Sequence, residues 1–271
     1  MKKSTISKEW IDWVNINKSR NCNPLEMFTL LVNGGNSYKD SYDLVFGSDE
    51  KEYQHKNWTN FTTNSIKLDD RAVDILFQCT NPEIIVFSNF LSHQECDDLI
   101  ALSETRLVKS EVVNSETGAN MLHSGRTSNN SFYKRGETPL IEKIEERISK
   151  LVGVPVENGE GLQVLNYPPD KEYKPHYDYF STKNGESTHL RLGGQRIGTF
   201  IMYLNDVESG GETTFPLLNM KIGPKKGNAL FFSFTNDASE TDIRSLHAGS
   251  PVITGNKWIS TKWLRQRNFV G

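Results

Sequence analysis

A histidine and an aspartate stand one residue apart at His176 and Asp178, within the aromatic stretch KPHYDYF. Both residue types bind metal ions. In a β-strand the side chains at i and i+2 leave the same face, so the strand geometry would direct these two side chains at one ion. Such a pair arises easily by chance in a chain with six histidines and 34 acidic residues. A metal site therefore requires a third ligand elsewhere in the chain.

His247, in the stretch RSLHAGSPVITGNKW, is the candidate third ligand because it precedes a predicted pair of strands. Taken alone, a histidine in such a place is more typical of a protein core. Together with His176 and Asp178, it forms the two-histidine, one-carboxylate set that leaves coordination positions open on iron(II). A structural zinc site would close four ligands, usually with cysteine, and the sequence has no cysteine nearby. Lys257 follows at a predicted strand start, where a cation can hold the far end of a dicarboxylate co-substrate.

The composition of the 271-residue chain is ordinary for a soluble globular protein, with 36% hydrophobic and 24% charged residues. The formal net charge of −3 provides no basic surface for nucleic acid. No apolar run reaches the roughly 20 residues that cross a bilayer, and the first residues lack the apolar segment of a secretory signal. Three scattered cysteines argue against a disulfide framework. We therefore expect a cytoplasmic protein that binds neither nucleic acid nor membrane.

The chain has two regions with different patterns. Residues 1–80 contain three helical patterns followed by a polar segment at 49–70 that is typical of a linker. We expect a small helical region here that packs on the rest of the chain or mediates oligomerisation. Residues 81–271 begin with a strand and two helices and continue as short strands separated by turn residues. This order predicts an α+β domain, a β-sandwich or jelly roll buttressed by helices.

The two predicted helices of the larger region carry clear boundary signals. Ser92 and Glu95 form a capping box at the start of the first helix. Thr138 is the expected N-cap of the second helix, with Pro139 in its first turn and Gly153 at its end. These signals locate the helices just before the strands that would carry the metal ligands.

The stretch from about residue 82 to 267 resembles the catalytic domain of the prolyl 4-hydroxylases, within the iron(II)/2-oxoglutarate-dependent dioxygenases. The resemblance rests on six segments in the family's order: FSNFLSHQECDDLI, GRTSNNSFY, LQVLNYPPDKEYKPHYDYF, GGQRIGTFIMYLNDVESGGETTFP, KKGNALFFSF and SLHAGSPVITGNKWISTKWLRQRNF. Six ordered segments are far more specific than any one motif. The fold implied by the resemblance is a double-stranded β-helix, the jelly roll expected above.

The resemblance also implies site roles for individual residues. The implied iron(II) ligands are His176, Asp178 and His247. Lys257 matches the family's lysine for the C5 carboxylate of 2-oxoglutarate, while Tyr167 and Thr199 match positions that hydrogen-bond this co-substrate. On the substrate side, Tyr173 and Trp263 match positions near the proline, and Arg126 lies in a loop that the family uses over its peptide.

The implied reaction is hydroxylation of peptidyl proline at C4 with dioxygen and 2-oxoglutarate, giving succinate and carbon dioxide, with ascorbate as a reductant. One alternative keeps the enzyme class but takes free proline or another small molecule. A second alternative is a non-catalytic jelly-roll binding module, although a binding module has no need of all three ligands and Lys257. A zinc hydrolase is disfavoured because no fourth ligand or general base accompanies the triad.

Overall fold

The computed structural model describes residues 6–47, 59, 61–109, 112–113, 120–121, 127–180, 188–235 and 240–271. The chain divides into two compact units, Met1–Gln54 and His55–Gly271. Over the described ranges, no helix combines the length and the apolar character that crossing a membrane requires.

The first unit is built from three helices, α1 (Lys8–Ser19), α2 (Pro24–Asn33) and α3 (Tyr38–Phe46). Each helix begins after a polar residue whose side chain accepts a backbone N–H of the first turn, namely Ser7, Asn23 and Ser37. The helices bury a small apolar core composed of Val14, Met27, Phe28, Leu31 and Val45. The helical region predicted for the N-terminal part of the chain is thereby confirmed.

The second unit combines helices with the strands of the described chain. Its helices are α4 (His93–Glu104), α5 (Pro139–Val152) and the single turn α6 (Thr188–Arg191). Its strands are β1 (Ser65–Lys67), β2 (Ala72–Thr80), β3 (Glu83–Ser88), β4 (Val108–Lys109), β5 (Val112–Val113), β6 (Asn120–Met121), β7 (Asn129–Tyr133), β8 (Leu162–Tyr167), β9 (Tyr173–His176), β10 (Arg196–Tyr203), β11 (Ser209–Gly210), β12 (Thr213–Phe215), β13 (Met220–Ile222), β14 (Ala229–Ser233), β15 (His247–Gly249), β16 (Val252–Thr254) and β17 (Lys257–Arg265).

Two antiparallel sheets organise this unit. The larger sheet has nine strands in the order β1-β2-β3-β14-β10-β17-β8-β7-β4, and the smaller has four in the order β13-β12-β15-β9. Neighbours in these orders are mostly distant in sequence, as a jelly roll requires. The predicted α+β fold with a double-stranded β-helix core is confirmed.

Two apolar clusters cover the two faces of the large sheet. The first cluster packs α4 and α5 against one face, and it includes Leu99 of α4, Ile144 of α5 and Phe200 of β10. The second cluster fills the space between the large and small sheets and includes Leu165 and Phe215. The predicted metal ligands lie on this second face, and the helices support the sheet from the opposite face.

The predicted helix boundaries agree with the structure. The Ser92 hydroxyl accepts the Glu95 N–H while the Glu95 carboxylate accepts the Ser92 N–H, which completes the capping box of α4. Thr138 caps α5, and Gly153 ends it in the left-handed conformation at φ 69°.

The start of the sheet differs from the predicted division at residues 80 and 81. Strands β1 and β2 precede that boundary, yet they pair with each other and, through β2, with β3 of the large sheet. The segment 49–70, predicted to be a linker, therefore contains β1, while its residues 49–58 and 60 lie outside the described part of the chain. The alternation of β2 is broken by a register shift between Ile75 and Phe77, which removes the usual sequence signature of a strand.

Candidate active site

Two histidines face each other across neighbouring strands of the small sheet. His176 ends β9, and the register pairs it directly with His247 at the start of β15. Directly opposed residues of an antiparallel pair project from the same face. Their imidazole centroids are consequently only 4.3 Å apart.

Asp178 completes the cluster from a bend just beyond the strand. Because β9 ends at His176, the strand spacing invoked for the sequence motif does not apply, and the chain must turn to bring the carboxylate back. Asp178 Oδ1 lies 3.6 Å from His176 Nε2, and Asp178 Oδ2 lies 3.5 Å from His247 Nε2. One ligand atom from each residue falls within 4.8 Å of the others.

Backbone carbonyls determine which imidazole nitrogen faces the cluster. His176 Nδ1 lies 2.8 Å from the carbonyl oxygen of Lys174, and His247 Nδ1 lies 3.0 Å from that of Ser245. Because a carbonyl oxygen only accepts, each Nδ1 carries the proton and donates it. This tautomer directs the lone pair of Nε2 at the centre of the cluster, as a metal ligand requires.

The Asp178 carboxylate is kept ionised by its surroundings. Burial alone would raise the pKa of this carboxyl group, while the charges of the nearby His247 and His176 act in the opposite direction. With Arg196 and a hydrogen bond from Thr199 added, the combined effect holds the pKa well below the usual range of an aspartate. The donor set of two imidazole nitrogens and one carboxylate oxygen therefore fits iron(II).

Thr199 donates its hydroxyl proton to the iron-ligand carboxylate. Its Oγ1 lies 2.7 Å from Asp178 Oδ2, and the side chain is fully buried on β10. The sequence analysis assigned this hydroxyl to the co-substrate instead. In the structure this hydroxyl donates to Asp178 and so orients the carboxylate; its contact with the co-substrate stays a prediction.

Lys257 lies on the floor of the same pocket, at the first residue of β17. The side chain is 3% exposed. Its ammonium makes neither a hydrogen bond nor an ion pair within the described ranges, and its nitrogen lies 5.4 Å from the centroid of the Tyr167 ring. Burial lowers the pKa of Lys257 to about 8, although the charge of Glu212 opposes the shift. A Cβ at Gly249 would stand 3.7 Å from the ammonium nitrogen, so glycine keeps space open beside it.

One pocket collects the predicted site residues that the structure describes. Those that line it are Tyr167, Tyr173, His176, Asp178, Thr199, His247, Lys257 and Trp263. The remaining predicted residue, Arg126, lies outside the described residues. The rest of the lining was not singled out from the sequence: Leu165, Ile201, Thr213, Ala248, Gly249, Ile259 and Thr261. Most of these are ordinary strand residues, whose position only the sheet register reveals.

Tyr173 and Trp263 form the aromatic part of the pocket. The Tyr173 ring stacks on the His176 imidazole, with centroids 3.5 Å apart. The guanidinium of Arg196 lies 4.1 Å from the Trp263 ring centroid, a cation–π contact that fixes the indole plane.

Arg196 is a positioning residue that sequence reasoning did not assign. Its Nη1 donates to the Asp178 carbonyl oxygen at 3.2 Å, while its Nε and Nη2 make a bidentate pair with Glu160 at 2.7 and 2.9 Å. Arg265 donates to the same Glu160 carboxylate at 3.0 Å. The charge of Arg196 is therefore balanced in the interior. The only sequence signal for it is its place in the segment GGQRIGTF.

The fold and the metal cluster together define a class of protein: a jelly-roll oxygenase whose iron is held by two histidines and one carboxylate. In agreement, residues 162–265 match the profile of the 2OG-Fe(II) oxygenase superfamily. A 2OG complex of the viral collagen prolyl hydroxylase of Paramecium Bursaria Chlorella virus-1 is a similar structure, with a TM-score of 0.55 and 30% sequence identity. The match covers 67% of this chain and 94% of the viral protein.

Curated relatives narrow the assignment. Prolyl 4-hydroxylase 5 of Arabidopsis thaliana is 43% identical over 207 residues, covering 69% of this chain and 70% of the relative. Prolyl 4-hydroxylase 1 of the same plant is 41% identical over 202 residues, covering 69% and 70%. The chain belongs to the prolyl 4-hydroxylase family. It is a 2-oxoglutarate- and iron(II)-dependent dioxygenase, and His176, Asp178 and His247 form its iron site.

Proposed function

We propose that this enzyme hydroxylates C4 of prolyl residues within a polypeptide, using one molecule each of dioxygen and 2-oxoglutarate. One oxygen atom enters the proline C–H bond as a hydroxyl group, and the other enters succinate as carbon dioxide leaves. The observation that carries the proposal is the buried Lys257 ammonium, which shares a pocket with the iron ligands and has no ionic partner in the described part of the chain. A dicarboxylate supplies the missing charge.

Lys257 holds the distal carboxylate of 2-oxoglutarate in this proposal. A buried ammonium without a counter-ion is costly, and a carboxylate at this position relieves the cost. Tyr167 stands directly opposite Lys257 across the β8–β17 ladder, where its hydroxyl is suited to hydrogen-bond the same carboxylate. This arrangement directs the keto-acid end of the co-substrate at the metal cluster.

Iron(II), when bound, supplies the oxygen activation that no side chain provides. Every other contribution comes from the chain. Thr199 donates a hydrogen bond to the Asp178 carboxylate, and Arg196 donates one to the Asp178 carbonyl oxygen. These two contacts fix the position of this ligand before any substrate binds. The apolar lining, which includes Leu165, Ile201 and Ile259, excludes water from the reacting atoms.

Tyr173 and Trp263 are proposed to hold the prolyl ring. Both line the pocket, and both are held rigidly, Tyr173 by stacking on His176 and Trp263 by Arg196. A flat aromatic wall suits a proline ring, which is apolar and stiff. A chain in the polyproline II conformation presents such a ring with little further loss of entropy.

The alternative substrate is free proline or another small molecule. Family membership and the complete ligand set already favour an enzyme over a non-catalytic binding module. To separate the two substrate classes, succinate release and 4-hydroxyproline would be measured by mass spectrometry with proline-containing peptides and with free proline. Asp178→Ala serves as the background control. Hydroxylation of peptides supports the proposal, and turnover confined to free proline contradicts it.

A further inference from the structure

The side chain of Asn205, just after β10, binds the backbone on both sides of Lys257. Its Nδ2 donates to the carbonyl oxygen of Asn256 at 2.6 Å, and its Oδ1 accepts the N–H of Trp258 at 2.7 Å. Asn256 and Trp258 are the two neighbours of Lys257 in the chain. One carboxamide therefore holds both peptide groups that flank the lysine assigned to the co-substrate.

The Asn205 carboxamide continues the sheet where strand β10 ends. The last pair in the ladder between β10 and β17 joins Tyr203 to Ile259. Lys257 lies two residues before Ile259 and pairs with Tyr167 of β8 on its other side. On the β10 side, the hydrogen bonds to its two peptide groups come from Asn205, whose carboxamide offers the same donor and acceptor as a peptide group. The side chain thus extends the ladder as far as Lys257.

The partners of Asn205 determine how its carboxamide is turned. Nδ2 donates to two carbonyl oxygens, that of Asn256 and, at 3.0 Å, that of Asp206. A carboxamide turned by 180° would place Nδ2 against the Trp258 N–H and Oδ1 against both carbonyl oxygens. An ionised aspartate only accepts hydrogen bonds, and a leucine neither donates nor accepts them. The position therefore requires asparagine among side chains of this size.

We propose that Asn205 is a positioning residue for 2-oxoglutarate and acts through Lys257. Asn205 does not line the pocket, so its influence on the co-substrate passes through the lysine. The lysine side chain is a flexible four-carbon stem, and the terminal residues of an element open at the lowest cost. Anchoring both peptide groups keeps the ammonium where it meets the distal carboxylate. This role rests on the proposed function and adds to it a residue outside the pocket.

The test compares Asn205→Ala with a matched control, Asn158→Ala. Asn158 Nδ2 donates to the carbonyl oxygen of Arg265 at 3.3 Å, at the opposite end of β17. Both asparagines are half-buried, and both bind the backbone at an end of the same strand. Only Asn205 holds the peptide groups of Lys257, so a loss of strand anchoring in general would affect both variants alike.

The primary measurement is the Kd of 2-oxoglutarate, obtained by calorimetry on the iron(II)-loaded protein without oxygen. Calorimetry gives the fraction of binding-competent protein separately from the Kd, so partial unfolding of a variant does not imitate weaker binding. Asn205→Ala is expected to raise this Kd about tenfold, equivalent to ~1.4 kcal/mol. The KM for 2-oxoglutarate should rise in parallel. The KM for a proline-containing peptide and kcat at saturating 2-oxoglutarate should stay at the wild-type values, as should every value for Asn158→Ala.

The double variant Asn205→Ala/Lys257→Ala tests whether the effect passes through the lysine. Once the ammonium is absent, replacing Asn205 should weaken 2-oxoglutarate binding no further than Lys257→Ala does alone. A wild-type Kd in Asn205→Ala, an equal loss in Asn158→Ala or a fully additive loss in the double variant overturns the role of Asn205, while the proposed role of Lys257 stands. An unchanged Kd in Lys257→Ala overturns both.

Discussion

Two buried lysines on β17 occupy opposite faces of the large sheet and differ in their partners. Lys262 faces α5, where it forms an ion pair with Glu145, and both side chains are almost inaccessible. Lys257 faces the pocket and has no such partner in the described ranges. A buried cation that the chain neutralises belongs to the fold. A buried cation that the chain leaves without a counter-ion indicates where a ligand supplies the charge.

The other residues of β17 also divide between a pocket face and a helix face. All nine residues of β17 are buried. Thr261 and Trp263 line the pocket with Lys257, whereas Trp258 and Leu264 belong to the core packed against the helices. We therefore expect substitutions on the pocket face to change catalysis more than stability, and substitutions on the helix face to do the opposite.

The largest effect on the pocket face is expected from the metal ligands. His176→Ala, Asp178→Ala or His247→Ala should each abolish succinate formation and hydroxylation, because facial coordination has no spare ligand. Circular dichroism should show an unchanged fold. Near-normal turnover in any of the three variants would refute the iron assignment.

Lys257→Ala should raise the 2-oxoglutarate concentration needed for half-maximal rate by two to three orders of magnitude. Removing one partner of a desolvated ion pair costs about 3–5 kcal/mol, and each ~1.4 kcal/mol is tenfold in affinity. The measurement is succinate release over a range of 2-oxoglutarate concentrations. An unchanged half-maximal concentration would assign the carboxylate to another cation, and Arg196 would be the next residue to test.

Lys262→Ala should show the reverse pattern. The free energy of unfolding should fall by about 3–5 kcal/mol because Glu145 remains buried without its cation. Denaturant titration measures this loss, and the 2-oxoglutarate requirement should stay at the wild-type value. The double variant Lys262→Met/Glu145→Gln should recover much of the stability, since it removes both charges. Equal instability in the single and double variants would show that packing, and not charge, dominates at this position.

Replacing Lys257 should have a smaller effect on the free energy of unfolding, and this effect should depend on pH. Burial lowers the pKa of this lysine from 10.5 to about 8 in the folded protein. Between pH 8 and 10.5 the unfolded chain binds more protons at this lysine than the folded chain does. The free energy of unfolding of the wild type therefore rises with pH over this interval. Lys257→Met should therefore stabilise the protein at pH 7 by about 1–3 kcal/mol. The gain should fade from about pH 8 toward 10.5 as the wild type recovers.

Thermal unfolding of the two proteins at pH 7 and pH 10, without 2-oxoglutarate, measures the difference. A stabilisation that is equal at both pH values would show that the effect is apolar packing of the methionine. A destabilised variant at pH 7 would mean that the ammonium has a partner in the folded state, and the comparison with Lys262 would fail.

The sequence predicted the iron site more completely than the sheet that holds it. His176 and Asp178 are separated by one residue, and together with His247 their residue types indicate a metal site. The family resemblance then assigned Lys257 to the C5 carboxylate of 2-oxoglutarate and supplied Trp263, which looks like an ordinary strand residue. The helices α4 and α5 were predictable because their capping residues and apolar periodicity are local signals.

Contacts between distant residues were not predictable in the same way. Glu145 and Lys262 meet only because α5 packs behind β17, and no local pattern pairs them. The bulge in β2 disrupts the alternation that normally marks a strand. Thr199 was assigned to the co-substrate because it matches a family position, whereas only the structure shows its hydrogen bond to Asp178.

The position of β9 has a consequence for the apoprotein. Among the strands that the structure describes, β9 is the outer one of the small sheet and pairs only with β15, through a short ladder with a register shift. A metal ion bound by His176 and Asp178 on one side and His247 on the other is a cross-link between these two strands. Chelation should therefore accelerate amide hydrogen exchange in β9 while the central strand β17 stays protected. Bound iron would thus secure the edge strand whose last residue and following bend provide two of its ligands.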